Sequence, residues 1–213
     1  EGIEYLHCVQ AALDASGLRY QVLDTDGRPR ERLSWPLSFP PSSTWKQFDP
    51  EDDALIGGDD KVAQSGMRLA CVWSIHGQTP RGREGRPQTL LCGWSQSEAH
   101  GLPSLWIGLQ GPEQRICVLL SQAPERSPHH WLGPTLPAAS EFEIQVAVHP
   151  DMGPGGVLWR RSDHSPWSSL QAASPWGPER VPFPDIWQLG HAQQGPGDQP
   201  FRGTELQVRW HRQ

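Results

Sequence analysis

The sequence predicts an all-β chain folded as an antiparallel two-sheet β-sandwich. Three observations carry that expectation. Almost every apolar segment repeats with period two and not 3.6, as extended chain with two distinct faces does. Short apolar runs alternate with turn residues, with 22 glycines and 22 prolines in 213 residues. Strand–helix–strand alternation and internal repeats are both missing, which leaves an antiparallel sandwich or barrel.

The strands follow in order. Residues 18–24 (Leu-Arg-Tyr-Gln-Val-Leu-Asp) read as a strand ending at the turn pair Asp26-Gly27. Tyr5–Leu13 fits a strand or a short helix. In 67–76, Leu69, Cys71, Trp73 and Ile75 share one face; in 88–95, Leu90, Cys92 and Trp94 do. The runs 104–110 and 114–121 are joined by Gly111-Pro112-Glu113, a hairpin turn. In 141–149, Phe142, Ile144, Val146 and Val148 point one way, and Glu141, Glu143, Gln145 and His149 the other. Gly153-Pro154-Gly155-Gly156 turns the chain into 157–161. In 204–211, Leu206, Val208 and Trp210 point inward, and Glu205, Gln207, Arg209 and His211 outward. One-sided alternation marks a sheet with one face on a core and the other in water. Long connections are expected at 28–66, 77–87, 122–140 and 162–186. Nothing marks a domain boundary, so residues 1–213 are expected to form one domain.

Leu, Ile, Val and Phe make up only about a fifth of the chain. Eleven tryptophans compensate, since each ring can bury a large apolar area. Trp73, Trp94, Trp106, Trp159, Trp187 and Trp210 lie in strand-like runs and are expected in the core. Trp35, Trp45, Trp131, Trp167 and Trp176 lie in Pro/Gly/Ser-rich connections, as loop anchors or as a binding platform. Cys8, Cys71, Cys92 and Cys117 form no CxxC pair and sit among apolar residues. They read as reduced core hydrophobes. The alternative is a disulfide, with Cys71 and Cys92 the best pair if their strands form a hairpin.

The net charge of −6 gives no basic surplus to neutralise phosphates, which argues against nucleic-acid partners. No apolar run is long enough to span a bilayer. Glu1 is not an initiator Met, so the chain is expected to follow a removed leader or an upstream domain. A secreted or cell-surface setting is favoured.

The C-terminal half carries a recognisable layout. Phe142–His149 leads through a Gly-rich turn to Gly156–Arg160; then come Trp187-Gln188-Leu189-Gly190-His191 and Pro200-Phe201-Arg202-Gly203-Thr204-Glu205-Leu206-Gln207-Val208. This resembles the laminin-G-like branch of the concanavalin A-like lectin/glucanase superfamily, matched at Leu189, Gly190, Phe201, Gly203, Leu206 and Val208. Trp73 matches the aromatic position of an earlier strand. The resemblance implies a jelly roll with one concave sheet open to ligands. Gly203 after Phe201 lets the last strand start close to its neighbour while the Phe ring plugs the end of the sandwich.

Glucanases of this superfamily carry an E-x-D-x-E triplet on one strand. The aligned residues here are Glu141, Glu143 and Gln145, so the acid/base position holds an amide that cannot deliver a proton. If the chain is an enzyme, Glu141 and Glu143 are the catalytic candidates. The acidic loop with Asp49, Asp52, Asp53 and Asp59 could supply oxygens to Ca2+, and related domains often bind it. The alternative is no cofactor, with the loop simply solvated. The nine histidines show no chelating or triad spacing. Arg81, Arg83 and Arg86 crowd a Gly-rich tip that could clamp a sulfate or uronate, or be plain solvated loop. Trp131, Trp167 and Trp176, with Arg160 and His164, would gather near one rim and suit a sugar ring. The expected function is a non-catalytic module recognising a glycan or a protein partner, as part of a larger protein. The alternative is a glycoside hydrolase or polysaccharide lyase acting on the concave sheet.

Overall fold

The computed structural model describes residues 8–14, 17–27, 29–35, 45–48, 71–82, 85–94, 103–121, 128–148, 157–162, 164–173, 184, 186–192 and 199–212. These residues hold strands and turns and no helix, as the period-two pattern predicts. Among them, no helix is long and apolar enough to cross a membrane. Contacts gather the chain into two compact units, Glu1–Pro41 and Ser42–Gln213.

In the first unit, β1 (Cys8–Asp14), β2 (Gly17–Leu23) and β3 (Pro29–Trp35) form an antiparallel sheet in the order β1-β2-β3. Tyr5–Leu13 thus resolves as strand over its described part. After β2 the chain reverses at Asp24–Gly27, where the Asp26 N–H donates to Asp24 Oδ1 (3.0 Å) and Gly27 takes φ 75°. That left-handed conformation costs glycine little.

The second unit contains two six-stranded antiparallel sheets. The remaining strands among the described residues are β4 (Lys46–Gln47), β5 (Cys71–Gln78), β6 (Gln88–Trp94), β7 (Leu105–Gln110), β8 (Arg115–Leu120), β9 (His129–Thr135), β10 (Glu141–Val148), β11 (Val157–Arg160), β12 (Ser168–Ser169), β13 (Gln171–Ala172), β14 (Ile186–Leu189) and β15 (Thr204–Arg212). The first sheet runs β12-β11-β10-β5-β15-β4, and the second β13-β9-β8-β7-β6-β14. The hairpin at Gly111 forms as expected, with Gln110 opposite Arg115.

Alternation places one face of each sheet in a common core. Trp73, Ile75, Ile144, Val146 and Val208 enter it from the first sheet; Leu91, Ile107, Val118, Trp131 and Trp187 enter from the second. Trp73 and Trp187 meet across the gap with ring centres 6.0 Å apart. At the sandwich end, Phe201 meets Phe142 edge to face at 6.3 Å. Gly203 lies against the Gln78 carbonyl and beneath the Phe201 ring, so the close approach expected there is present.

Three expectations are corrected. First, β5 and β6 join different sheets and form no hairpin. Cys71 faces the common core and Cys92 the opposite side of the second sheet, and none of the four cysteines is in a disulfide. Second, Cys8 is exposed and is no core residue. Third, the second sheet is not one-sided. Its far face carries Cys92, Trp94, Trp106 and Cys117, all buried, with Leu119, Leu132, Ile186 and Ala192 packed on them. Trp106 lies over Gly108 and donates its indole N–H to Thr89 Oγ1 (2.9 Å), which satisfies a buried donor.

Two outcomes follow. Gly203→Ala pushes a methyl into the Gln78 carbonyl and the Phe201 ring, and overpacking of this kind costs about 1–3 kcal/mol; urea unfolding is expected to show a midpoint lowered to match. The second concerns thiols. Burial pushes Cys92 and Cys117 up to about 12 from 9.0, with Trp94 and Arg115 respectively pulling weakly the other way. The folded chain keeps these protons while the unfolded chain releases them. Stability is therefore whole below pH 9 and falls as pH rises from 9 toward 12. Under native conditions at mildly alkaline pH, a disulfide reagent is expected to label Cys8 at once and to reach Cys92 and Cys117 only after denaturant is added.

Candidate functional site

The first sheet turns its other face away from the core; that face buries Leu158, Ala147 and Val72 toward one end of the strands and carries polar side chains beside them. Cross-strand partners share a face, so the register assembles a row across five strands. Arg160 on β11 pairs with Gln145 on β10, Gln145 with Ser74 on β5, Ser74 with Arg209 on β15, and Arg209 with Gln47 on β4. One step along the strands, Glu143, His76 and Gln207 form a second row. The backbones of Arg160 and Arg209 are three strand spacings apart, about 14 Å.

The middle of the row is buried although it is polar: Gln145 is 0% and Ser74 2% exposed. Buried polar groups require partners, and here the arginines supply them. Arg160 Nε donates to Gln145 Oε1 at 2.7 Å, and Arg209 Nη2 to Ser74 Oγ at 3.3 Å. Arg209 also pairs with Glu143 at 3.5 Å, both side chains being about two-fifths exposed. An ion pair that exposed contributes little stability. Each guanidinium has an indole near it. Arg160 lies 4.6 Å from the centre of the Trp167 ring, and Arg209 lies 5.9 Å from that of Trp45. Cation–π contact orients the planar fork while leaving the charge in place.

The residues singled out from sequence are placed as follows. Arg160 and Trp167 are brought together on this face. His164 is exposed in the turn between them, where Ser162 and Ser165 hydroxyls meet at 3.2 Å. Trp131 is corrected: it stands on β9, 1% exposed, with its ring in the common core and not on a rim. Glu141 is exposed at the start of β10, and Glu143 is half-buried beside Arg209. Trp176, Asp49, Asp52, Asp53 and Asp59 lie outside the described residues. Among the described residues no three His, Cys, Asp or Glu converge as a metal site would require. Arg209 and Ser74 were not singled out, and Trp45 was named only among the loop tryptophans. Arg209 was legible as an outward residue, but its neighbours come from strands distant in sequence.

Chemically, the face offers two guanidiniums against the carboxylate of Glu143, with hydroxyl and amide groups between them. Guanidiniums bind carboxylate or sulfate by paired charge-assisted hydrogen bonds. Retaining glycoside hydrolysis needs two carboxyl groups about 5–5.5 Å apart. Gln145 takes the place of the second and is already bonded to Arg160.

No family model matches the chain, and no curated protein matches it. Among solved structures it is similar to the CBM40 module of the Ruminococcus gnavus IT-sialidase. The structure with α2,3-sialyllactose bound aligns at TM-score 0.51 and 11% identity, over 79% of this chain and 86% of that one. The structure with α2,6-sialyllactose bound aligns at TM-score 0.51 and 12% identity, over 79% and 87%. At such identities the likeness is one of fold: a β-sandwich of the kind found in carbohydrate-binding modules.

Proposed function

We propose that the β-sandwich is a non-catalytic glycan-recognition module of the concanavalin A-like type, with an acidic sugar bound across the Arg160–Arg209 row. The observation that carries this reading is the pair of guanidiniums, each within about 6 Å of an indole ring centre, at the two ends of the buried Gln145–Ser74 pair. In this reading the guanidiniums hold an acidic group of the sugar. Trp167 and Trp45 give its carbon skeleton apolar surface. Gln145 and Ser74 keep the arginines in place before the ligand arrives, which lowers the ordering cost of binding. The likeness to modules solved with sialyllactose supports a glycan as the partner class. The enzyme alternative is weaker, because an amide stands where a proton donor is needed. Laminin-G-like ancestry and a calcium ion held by the acidic residues of 49–60 belong to the same proposal, and the calcium and chelator arms below probe the ion.

Calorimetric titration with sialyllactose and with lactose, each with calcium and with chelator, tests it. The acidic sugar is expected to bind more tightly than the neutral one, and more weakly as salt rises. Arg160→Ala and Arg209→Ala are each expected to weaken it by about tenfold or more, the loss of one charge-assisted hydrogen bond. Glu143→Gln removes a carboxylate that competes for Arg209, so severalfold tighter binding is expected. Equal affinity for the two sugars contradicts the reading, as does sugar cleavage abolished by Glu143→Gln.

A further inference from the structure

A strand at a sheet edge presents unpaired N–H and C=O groups, a template for another strand. Among the described residues, every sheet edge but one is blunted. The two six-stranded sheets end on β12, β4, β13 and β14, which are two, two, two and four residues long. Strands so short offer little to pair with. β3, one edge of the first unit's sheet, opens on Pro29-Arg30-Glu31-Arg32, and its pairing with β2 is broken by a register shift at Val22/Leu23. Short length, proline, charge and bulges are the means by which proteins protect an edge.

β1, the other edge of that sheet, has none of these. Its seven residues, Cys8-Val9-Gln10-Ala11-Ala12-Leu13-Asp14, include no proline, no glycine and no charge before Asp14. They pair with β2 in unbroken register and, among the described residues, with no other strand. Residues 8–13 are all exposed. Val9 and Leu13, 61% and 81% exposed, are the two large apolar side chains that stand in water among the described residues. With Ala11 between them they share one face of the strand. Gln10 lies on the other face, where its Oε1 accepts from Gln21 Nε2 at 2.6 Å.

A partner that fits this edge is an extended strand with apolar residues at alternate positions and no charge in its middle. β1 itself meets that description. Residues opposite one another in an antiparallel pair share a face. Laid antiparallel on a second copy with Ala11 opposite Ala11, the strand sets Val9 opposite Leu13, Gln10 opposite Ala12 and Cys8 opposite Asp14. All seven positions pair, and no charge meets a like charge. A one-residue slip turns the apolar faces of the two copies to opposite sides, so the pattern selects this register.

We infer that β1 is a self-association edge: two copies of this chain pair their β1 strands about a two-fold axis at Ala11, joining two three-stranded sheets into one of six strands. The contact is isologous and closed, so it stops at a dimer. Main-chain hydrogen bonds supply affinity, as in other strand additions. The Val9 and Leu13 side chains of both copies form one apolar patch across the seam. A single strand pair is a small interface, so the dimer is expected at micromolar concentrations. The inference goes beyond glycan recognition and uses no residue of the arginine row, so either can fail alone.

The test is sedimentation equilibrium of the full chain from about 1 μM to about 1 mM, the span a small interface calls for. The parent is expected to pass from monomer to dimer across it. Val9 and Leu13 are exposed, so Val9→Lys and Leu13→Lys keep the fold. Each is expected to weaken dimerisation by about tenfold or more. The double variant sets like charges opposite one another and is expected to stay monomeric. Asp14→Cys tests the register by a gain. It sets a thiol opposite Cys8 of the other copy at a Cα separation of about 4.5–5.5 Å, which a disulfide spans. Within one chain the two thiols are about 20 Å apart along the strand and cannot join. Oxidised glutathione is expected to give a covalent dimer from Asp14→Cys, less of it once Leu13→Lys is added, and none from the parent. The inference is overturned if the parent stays monomeric throughout, if the double variant dimerises like the parent, or if Asp14→Cys cross-links no more than the parent.

Discussion

Trp73 on β5 and Trp187 on β14 fill the gap between the two sheets, 1% and 2% exposed. The rest of the second unit depends on that contact. Aliphatic residues are scarce in this chain, and indole rings supply bulk that leucine and valine would supply elsewhere. With the ring of Trp73 committed inward, the parity of β5 is set: Cys71 and Ile75 go in with it, and Ser74 and His76 must face out. Hydrogen-bond register passes the same choice to β10 and β15, so Gln145, Glu143, Arg209 and Gln207 join Ser74 and His76 on the far side. The polar row is thus a consequence of core packing. A one-residue slip in β15 would bury an arginine, and one in β5 or β10 would bury His76 or Glu143, each exposing an aliphatic residue.

The two sheets use their far faces differently. The second covers its own with Cys92, Trp94, Trp106 and Cys117, apolar groups that have no use for water. The first buries Leu158, Ala147 and Val72 on its own and keeps a polar row beside them, satisfied through Arg160–Gln145 and Arg209–Ser74. The second sheet's layer still holds the Trp94 indole N–H without a partner among the described residues. Only the first sheet's arrangement leaves charge at a surface, and charge at a surface is what a glycan acid can recognise.

Much of the fold was legible in the alternation. The long strands around Trp73, Ile107, Val118, Ile144 and Val208 fall where period two and turn residues put them, and the Phe201–Gly203 closure was readable from the residue pair. Other elements carry too little pattern. β4, β12 and β13 are two-residue bridges, and β9 contains Gly133 and Pro134, which read as a connection. That last reading put Trp131 on a rim when it belongs in the core. The site was half legible. Arg160 with Trp167 was visible as a local cluster, because the partners are seven residues apart in sequence. Arg209 with Ser74, Glu143 and Trp45 was not, because β15, β5, β10 and the residue before β4 meet only through sheet order, which strand pattern alone does not encode.

The most direct test of the central claim is a crystal structure of the chain with sialyllactose bound. The account places the sugar's carboxylate in hydrogen-bond contact with the Arg160 or Arg209 guanidinium, over Gln145 and Ser74, with Trp167 or Trp45 against the ring. Sialyllactose seated on the second sheet or on the end loops, with both arginines uncontacted, would contradict it.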